Sequence, residues 1–586
     1  MKKLSVLFVI GVFMASAISA HAANQNWKQQ FEKVSDEYFD QVYFHYGPTG
    51  GTLAGYHQYD AQLEDYSRKS IDAEIAALKV FEKRVEAIHP DAAAADFVPR
   101  SDREMVLANI RSELLTLEVI RPWEKNADNY SGTCANGAFT LMERKFASPD
   151  ERLRSLIARE KQMPAVLADA RVNLKNPPRI FTEIAIEQLP DIVSFFEHDV
   201  PLAFADAKDP ALKAELAQTN AAVIAALNGY LGWLKTDLLP QSNGDFRIGA
   251  ATFSKKLHYD EMVDLPLDKL LEFGWADMRK NQAQFNQIAK ELEPAKEPRA
   301  VVEELGEKHP APDQLLNSFR ATFDGLVSFI RSHHIVTIPS DVRPILEETP
   351  PFMRATTTAS MDTPGPFETH ATEAYFNVTL PDPSMTPAQV EGYMHSFNVG
   401  TVISTAVHEA YPGHYVQFLW LPQAPSRVRK LLGANTDVEG WAHYTEQMML
   451  DEGYGQPGTG AKDEREAKFM RLGQLQDALL RNARFIVGIQ MHTGTMSFKE
   501  AEEFFQKEGY QSKESAVVEA KRGAGDPTYL YYTLGKLEIM KLREDVKKKQ
   551  GTAFSLEEFH NNFLRQGFPP IKIVREAMLG DDSPAL

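Results

Sequence analysis

The sequence predicts a mainly α fold, a large bilobal helical protein with a small β-sheet beside the helices that carry its chemistry. Three observations predict it. Apolar residues recur at spacings of three and four through most of the chain, the period of a one-sided helix. One segment, Ile335 to Leu380, switches to short Thr-, Val- and Ile-rich runs separated by turns. The 586 residues, 43% hydrophobic and 25% charged, have globular proportions and length enough for more than one core-sized mass. Disordered, collagenous and coiled-coil classes are excluded on the same figures.

Taken in order, the chain opens with a secretory leader. Lys2 and Lys3 precede an apolar stretch from Leu4 to Ala17, and Ala20-His21-Ala22 supplies a small-x-small cleavage pattern, so residues 1–22 are expected to be removed. The apolar run is too short for the ~20 residues of a membrane span, and no cysteine follows it to take a lipid. The expected product is exported, with no membrane attachment after leader removal. The formal charge of −18 becomes −20 once both lysines leave, which argues against nucleic acid as a partner. Cys134 is the single cysteine. An exported chain without an intrachain disulfide relies on core burial, and the leader style points to a bacterial periplasm.

Residues 23–345 read as an N-terminal helical lobe. Trp27, Phe31, Val34, Tyr38 and Val42 form its first apolar stripe. Others run from Ile71 to Val85, Met105 to Ile120 and Leu212 to Leu234, and the last joins Leu316, Phe319, Phe323, Leu326 and Ile330. Ile335–Ile338 and Ala374–Val378 read as strands. Residues 346–586 read as the catalytic lobe, in which Thr386-Pro387-Ala388-Gln389 is a capping-box helix start.

The chemistry is concentrated in Val402 to Gln417, VISTAVHEAYPGHYVQ. It sets His408 and Glu409 side by side, with His414 six residues after His408. The H-e-x-x-H pattern of zinc peptidases spaces its histidines by four, so that both face one metal. A spacing of six rotates them about 240° apart on a regular helix. Pro412 and Gly413 lie between them, and a helical bulge absorbing two residues is expected to restore a common facing. Catalytic Zn2+ takes three protein ligands, and the third candidate is Glu439, in Asp437-Val438-Glu439-Gly440-Trp441-Ala442-His443-Tyr444. Asn435 or Thr436 is expected to cap this helix. His443, with Glu446 farther on, continues a polar stripe from Glu439 and is expected behind the ligands.

The chain resembles the bacterial family catalogued as domain of unknown function 885, grouped with zinc metallopeptidases of the gluzincin type. The resemblance covers nearly the whole mature chain. It rests on Gly55-Tyr56-His57-Gln58-Tyr59-Asp60, Ala374-Tyr375-Phe376-Asn377, His408 to His414, Glu439-Gly440-Trp441-Ala442, His492-Thr493-Gly494 and Tyr532-Thr533-Leu534-Gly535. It implies His408, His414 and Glu439 as metal ligands and Glu409 as general base. Tyr532 and His492 compete as the donor to a developing oxyanion. Arg522 is a candidate clamp for substrate. Tyr375 and Asn377 belong to a strand that either takes an extended peptide at its edge or lies inside the sheet.

The expected activity is hydrolysis of peptide bonds by an exported zinc metallopeptidase, acting as a carboxypeptidase or an oligopeptidase. Its rival is an inactive periplasmic scaffold that keeps the metal. An intact Glu409 argues against the rival, because a structural site needs no base. A serine hydrolase finds no support, for there is no G-x-S-x-G elbow.

Overall fold

The computed structural model describes residues 27–90, 96–350, 353–354 and 357–586, so the leader expected at 1–22 lies outside the described residues. It is 70% helical with one small sheet. Residues 27–38 form α1, in which Trp27, Phe31 and Tyr38 are buried, and the chain continues as a π-turn over Phe39–Tyr43 that buries Val42. The next stripes are α2 (Arg68–Glu86), burying Ile71, Leu78, Phe81 and Val85, and α3 (Phe97–Leu115), burying Met105, Val106 and Ile110. The Leu212 stripe is α4 (Pro210–Trp233), which starts on an Asp209 cap. Two helices that matter later are α5 (Ala250–Glu261) and α6 (Leu267–Leu292). In α7 (Leu315–Ser332), Phe319, Phe323, Leu326 and Ile330 face inward. Each such side chain, fully buried, contributes roughly 1.5–3 kcal/mol relative to exposure.

Ile335–Ile338 is not a strand. Ile335 and Val336 are buried, but backbone groups here pair with side chains instead of a sheet: His560 with the Ile335 carbonyl, Trp420 Nε1 with the Thr337 carbonyl, and the Thr337 amide with Asn561. A β-branched apolar run signals burial, and the partner decides whether it becomes a strand. The sheet is built from β1 (Ile345–Glu348), β2 (Ala359–Asp362) and β3 (Tyr375–Val378), in the order β1-β3-β2. β3 pairs parallel to β1, with Phe376 opposite Leu346, and antiparallel to β2, with Phe376 opposite Met361.

The later helices carry the site. After α8 (Pro387–Met394), whose Thr386–Gln389 capping box forms as expected, come α9 (Val399–Glu409), α10 (His414–Trp420) and α11 (Asn435–Asp451). They are followed by α12 (Glu464–His492), α13 (Lys513–Gly525) and α14 (Tyr531–Gln550). Apolar cores cross residue 345. Phe319 and Phe323 pack in one cluster with Phe376, Trp441 and Leu542; Met278 and Phe285 join Leu472 and Ile486; Trp27 and Phe31 join Val428 and Ile573. No helix among the described residues is long and apolar enough to cross a membrane.

A candidate metal centre

His408 and Glu409 end α9, a helix whose start is fixed by Asn398 accepting hydrogen bonds from the Gly400 and Thr401 amides. The expected bulge is instead a complete break. The chain leaves the helix at Ala410, passes a cis Tyr411–Pro412 peptide, and restarts as α10 at His414. The Gly413 amide donates to the Val407 carbonyl at 2.9 Å, drawing the turn so tightly against α9 that a Cβ at Gly413 would lie 1.7 Å from the His408 carbonyl oxygen. Trp441 Nε1 donates to the Pro412 carbonyl and ties this turn to α11.

Glu439 lies in the first turns of α11, as expected, but neither Asn435 nor Thr436 caps that helix. Its first amides donate to the carboxylate of Glu261 at the end of α5, an anion placed at the positive end of the helix. Burial raises the pKa of Glu261 to about 7 against the lowering effect of its bonds to Thr436. α11 crosses α14 at Gly440 and Gly535. A Cβ on Gly535 would sit 1.9 Å from the Thr436 carbonyl oxygen, and one on Gly440 2.6 Å from the Gly535 Cα. Contact this close brings Tyr532 of α14 beside Glu439.

Three ligand-type atoms converge where these elements meet. His408 Nε2 and His414 Nε2 each lie 3.4 Å from Glu439 Oε2, and the three groups lie within 4.8 Å of one another. A tetrahedral ion with bonds of ~2.0–2.2 Å needs donor atoms about 3.3–3.6 Å apart. Glu439 Oε2 is buried and makes no hydrogen bond. A donor set of two imidazoles and one carboxylate, closely spaced around a buried oxygen that makes no well-aligned hydrogen bond, fits Zn2+.

Behind the ligands, His408 Nδ1 donates to Glu446 Oε1 at 2.7 Å, and His443 Nδ1 donates to Glu446 Oε2 at 3.2 Å. Burial opposes ionisation of Glu446, but the charge of Arg481 and the hydrogen bonds from His408 and His443 outweigh it and hold the carboxyl well below its usual range. Arg481 pairs with it at 3.0 Å. Burial also opposes charge on His408, yet Glu439 and Glu446 raise its pKa to about 9. The two carboxylates therefore favour a cation here, whether proton or metal. Burial lowers His443 to about 4, leaving it neutral. His443 lies behind the candidate ligands and reaches His408 only through Glu446. That bridging residue is visible in the sequence as the end of the polar stripe, three positions after His443, but nothing local marks its contact with His408. Arg481 lies on α12 with no local signal at all.

The site opens into a cavity of about 540 Å³. Glu409 lines it and makes no hydrogen bond or ion pair with any described residue. Tyr532 donates to Glu439 Oε1 at 3.1 Å and accepts from Arg522 at 2.8 Å. His492, the competing oxyanion donor, is elsewhere. It is buried, does not line the cavity, and its Nε2 bonds the Gly523 carbonyl against Phe246 and Phe253. Tyr375 and Asn377 do not line the cavity either. β3 is the central strand, paired on both sides, so it has no edge to offer a peptide. The strand facing the cavity is β2, through Ala359, Ser360 and Met361.

The model of the family described as "Bacterial protein of unknown function (DUF885)" matches residues 48–578. The chain belongs to this family. Among solved structures, a candidate lipoprotein of unknown function from Shewanella oneidensis is similar to this DUF885 chain at 26% identity and a TM-score of 0.75, covering 94% of this chain and 99% of its own. A candidate lipoprotein from Colwellia psychrerythraea shares the fold at 17% identity and a TM-score of 0.80, covering 95% and 99%. No curated protein matches.

Proposed function

We propose that this DUF885 protein is an exported zinc-dependent peptidase. The observation that carries the reading is the combination of three convergent ligand atoms, spaced for a tetrahedral ion, with an unpaired carboxylate on the next residue, Glu409. His408, His414 and Glu439 would hold the ion. When bound, Zn2+ supplies a water acidified to a pKa near 7 and an electrophile for the scissile carbonyl.

The chain's own groups do the rest. The Glu409 carboxylate takes a proton at the cavity and returns it to the leaving amine. Glu446 fixes the ring of His408 by accepting from Nδ1. Tyr532 holds Glu439 through its single hydroxyl proton, and by exchanging that bond for one to the carbonyl oxygen it would share the charge developing there. The outer edge of β2 suits an extended peptide, which would add as a fourth strand. Export is supported by the leader pattern and by the lipoprotein descriptions of both similar structures.

The test is metal content together with turnover. Purified protein should carry about one zinc per chain, and His408→Ala, His414→Ala or Glu439→Ala should lose most of it. Glu409→Gln should keep zinc and lose roughly 10²–10⁴ in kcat on a mixed peptide library followed by mass spectrometry. Full zinc in all three ligand variants would refute the site. Unchanged turnover in zinc-loaded Glu409→Gln would remove the base and leave a metal-containing scaffold.

A further inference from the structure

Four arginines line the cavity, and three are neutralised by carboxylates. Arg354 pairs with Glu348 at 2.8 Å, Arg481 with Glu446 at 3.0 Å, and Arg484 grips Glu519 through two bonds of 2.6 and 2.7 Å. Arg522 differs. Among the described residues no carboxylate oxygen lies within the 4.0 Å of an ion pair, and its one hydrogen-bond partner is the neutral hydroxyl of Tyr532. A half-buried guanidinium carries five donors in a fork matched to a carboxylate, and here only one of them has a partner among the described residues. Val518, one turn earlier on α13, lines the same cavity and is an exposed aliphatic side chain.

We infer that Arg522 is the anchor for a substrate carboxylate, the free C-terminal α-carboxylate of a peptide, and that the site cleaves from the C-terminal end. The inference rests on the peptidase reading above. Distance sets the product. Two hydrogen bonds, of 3.1 and 2.8 Å, separate Glu439 Oε1 from Arg522 Nη2. One residue of extended chain spans ~3.3–3.6 Å, so a carboxylate held at Arg522 leaves room for one or two residues beyond the scissile bond. Val518 then offers apolar surface to the terminal side chain.

The experiment compares an N-acetylated hexapeptide library in free-acid and C-terminal amide forms on the zinc-loaded protein, with product masses read directly. The free acids should lead in kcat/KM by on the order of 10² and release one or two C-terminal residues. In Arg522→Met that ratio should fall towards one, while Arg522→Lys keeps part of it. A residue that only steadied Tyr532 would slow both forms and leave the ratio standing. Amides cleaved as well as acids, or an undiminished ratio in Arg522→Met, overturns the inference and leaves the metallopeptidase reading intact. A third arm, amidated peptides bearing Glu near the end, separates the two sources of carboxylate, and their preference over neutral free acids also overturns it. Should wild type cleave nothing, the peptidase reading fails, and equilibrium binding of the two libraries decides the anchor. At least tenfold tighter binding of acids, lost in Arg522→Met, upholds it, and equal binding refutes it.

Discussion

Tyr531 and Tyr532 are adjacent in sequence and part company in the structure. Tyr532 donates to Glu439, the proposed metal ligand, whereas Tyr531 donates to Asp526 at 2.7 Å. Because the Tyr532 hydroxyl touches both a ligand and the cavity, Tyr532→Phe should weaken zinc affinity by about 10-fold or somewhat more. It should also lower kcat by one to three orders of magnitude at full metal loading. Tyr531→Phe should match wild type in both. Normal turnover in Tyr532→Phe would return the oxyanion role to an unassigned group. A second residue-scale prediction concerns Glu160, far from the site. Its carboxyl accepts from Thr219 through Oε2, and Oε1 is buried without a partner. Burial raises its pKa from 4.5 to about 8, only partly opposed by the Thr219 bond. The folded state therefore keeps the proton longer than the unfolded chain. The stability this contributes is fully present below about pH 4.5 and is lost as pH rises through 8. Glu160→Gln should gain on wild type by up to a few kcal/mol between pH 5 and pH 8.5 in urea unfolding. A pH-independent difference would show that Glu160 is ionised in the fold.

At the scale of elements, the site depends on how closely helices approach. Two motifs recognisable in the sequence, Glu439-Gly440-Trp441-Ala442 and Tyr532-Thr533-Leu534-Gly535, are the two sides of one crossing, in which the glycines touch. Their spacing from Glu439 and Tyr532 has a mechanical meaning: the crossing sets the distance between ligand and hydroxyl. Gly535→Ala places a methyl against the Thr436 carbonyl and must push α14 away from α11. The expected cost is ~1–3 kcal/mol of stability from overpacking, with weaker zinc binding measured by competition with a chelator. Wild-type stability and affinity would mean that the helices separate freely and that the contact is incidental.

At the scale of the molecule, the leading half of the chain is part of the interior of the half that carries the candidate metal centre. α7 packs against β3 and α9, α6 packs against α12, and the Glu261 carboxylate of α5 caps α11. Residues 346–586 expressed alone would expose these faces and lose that cap. They should give a molten or aggregating product by near-UV circular dichroism, while the whole chain unfolds with these cores in a single transition. A folded, zinc-binding 346–586 fragment would contradict this.

Periodicity sufficed for the helices, because each amphipathic stripe buries its own apolar side whatever it packs against; α1, α2 and α7 are where the spacing puts them. The ligand candidates were legible for a related reason. His408, Glu409 and His414 are near neighbours in sequence, and Glu439, His443 and Glu446 share one helical stripe. Everything that needs a distant partner was beyond the sequence. Ile335–Ile338 carries strand-forming residues but meets side chains, not a strand. β3 carries the strand-like motif but sits in the middle of the sheet, so the edge passes to β2. His492 stands in a family motif yet packs beneath α13, and Arg481 reaches Glu446 from 35 residues away with no local pattern. Local sequence determines which face of an element is apolar and which groups are available. Which of those groups stand unpaired in a cavity, as Glu409 and Arg522 do, is decided only when long-range packing assigns the partners.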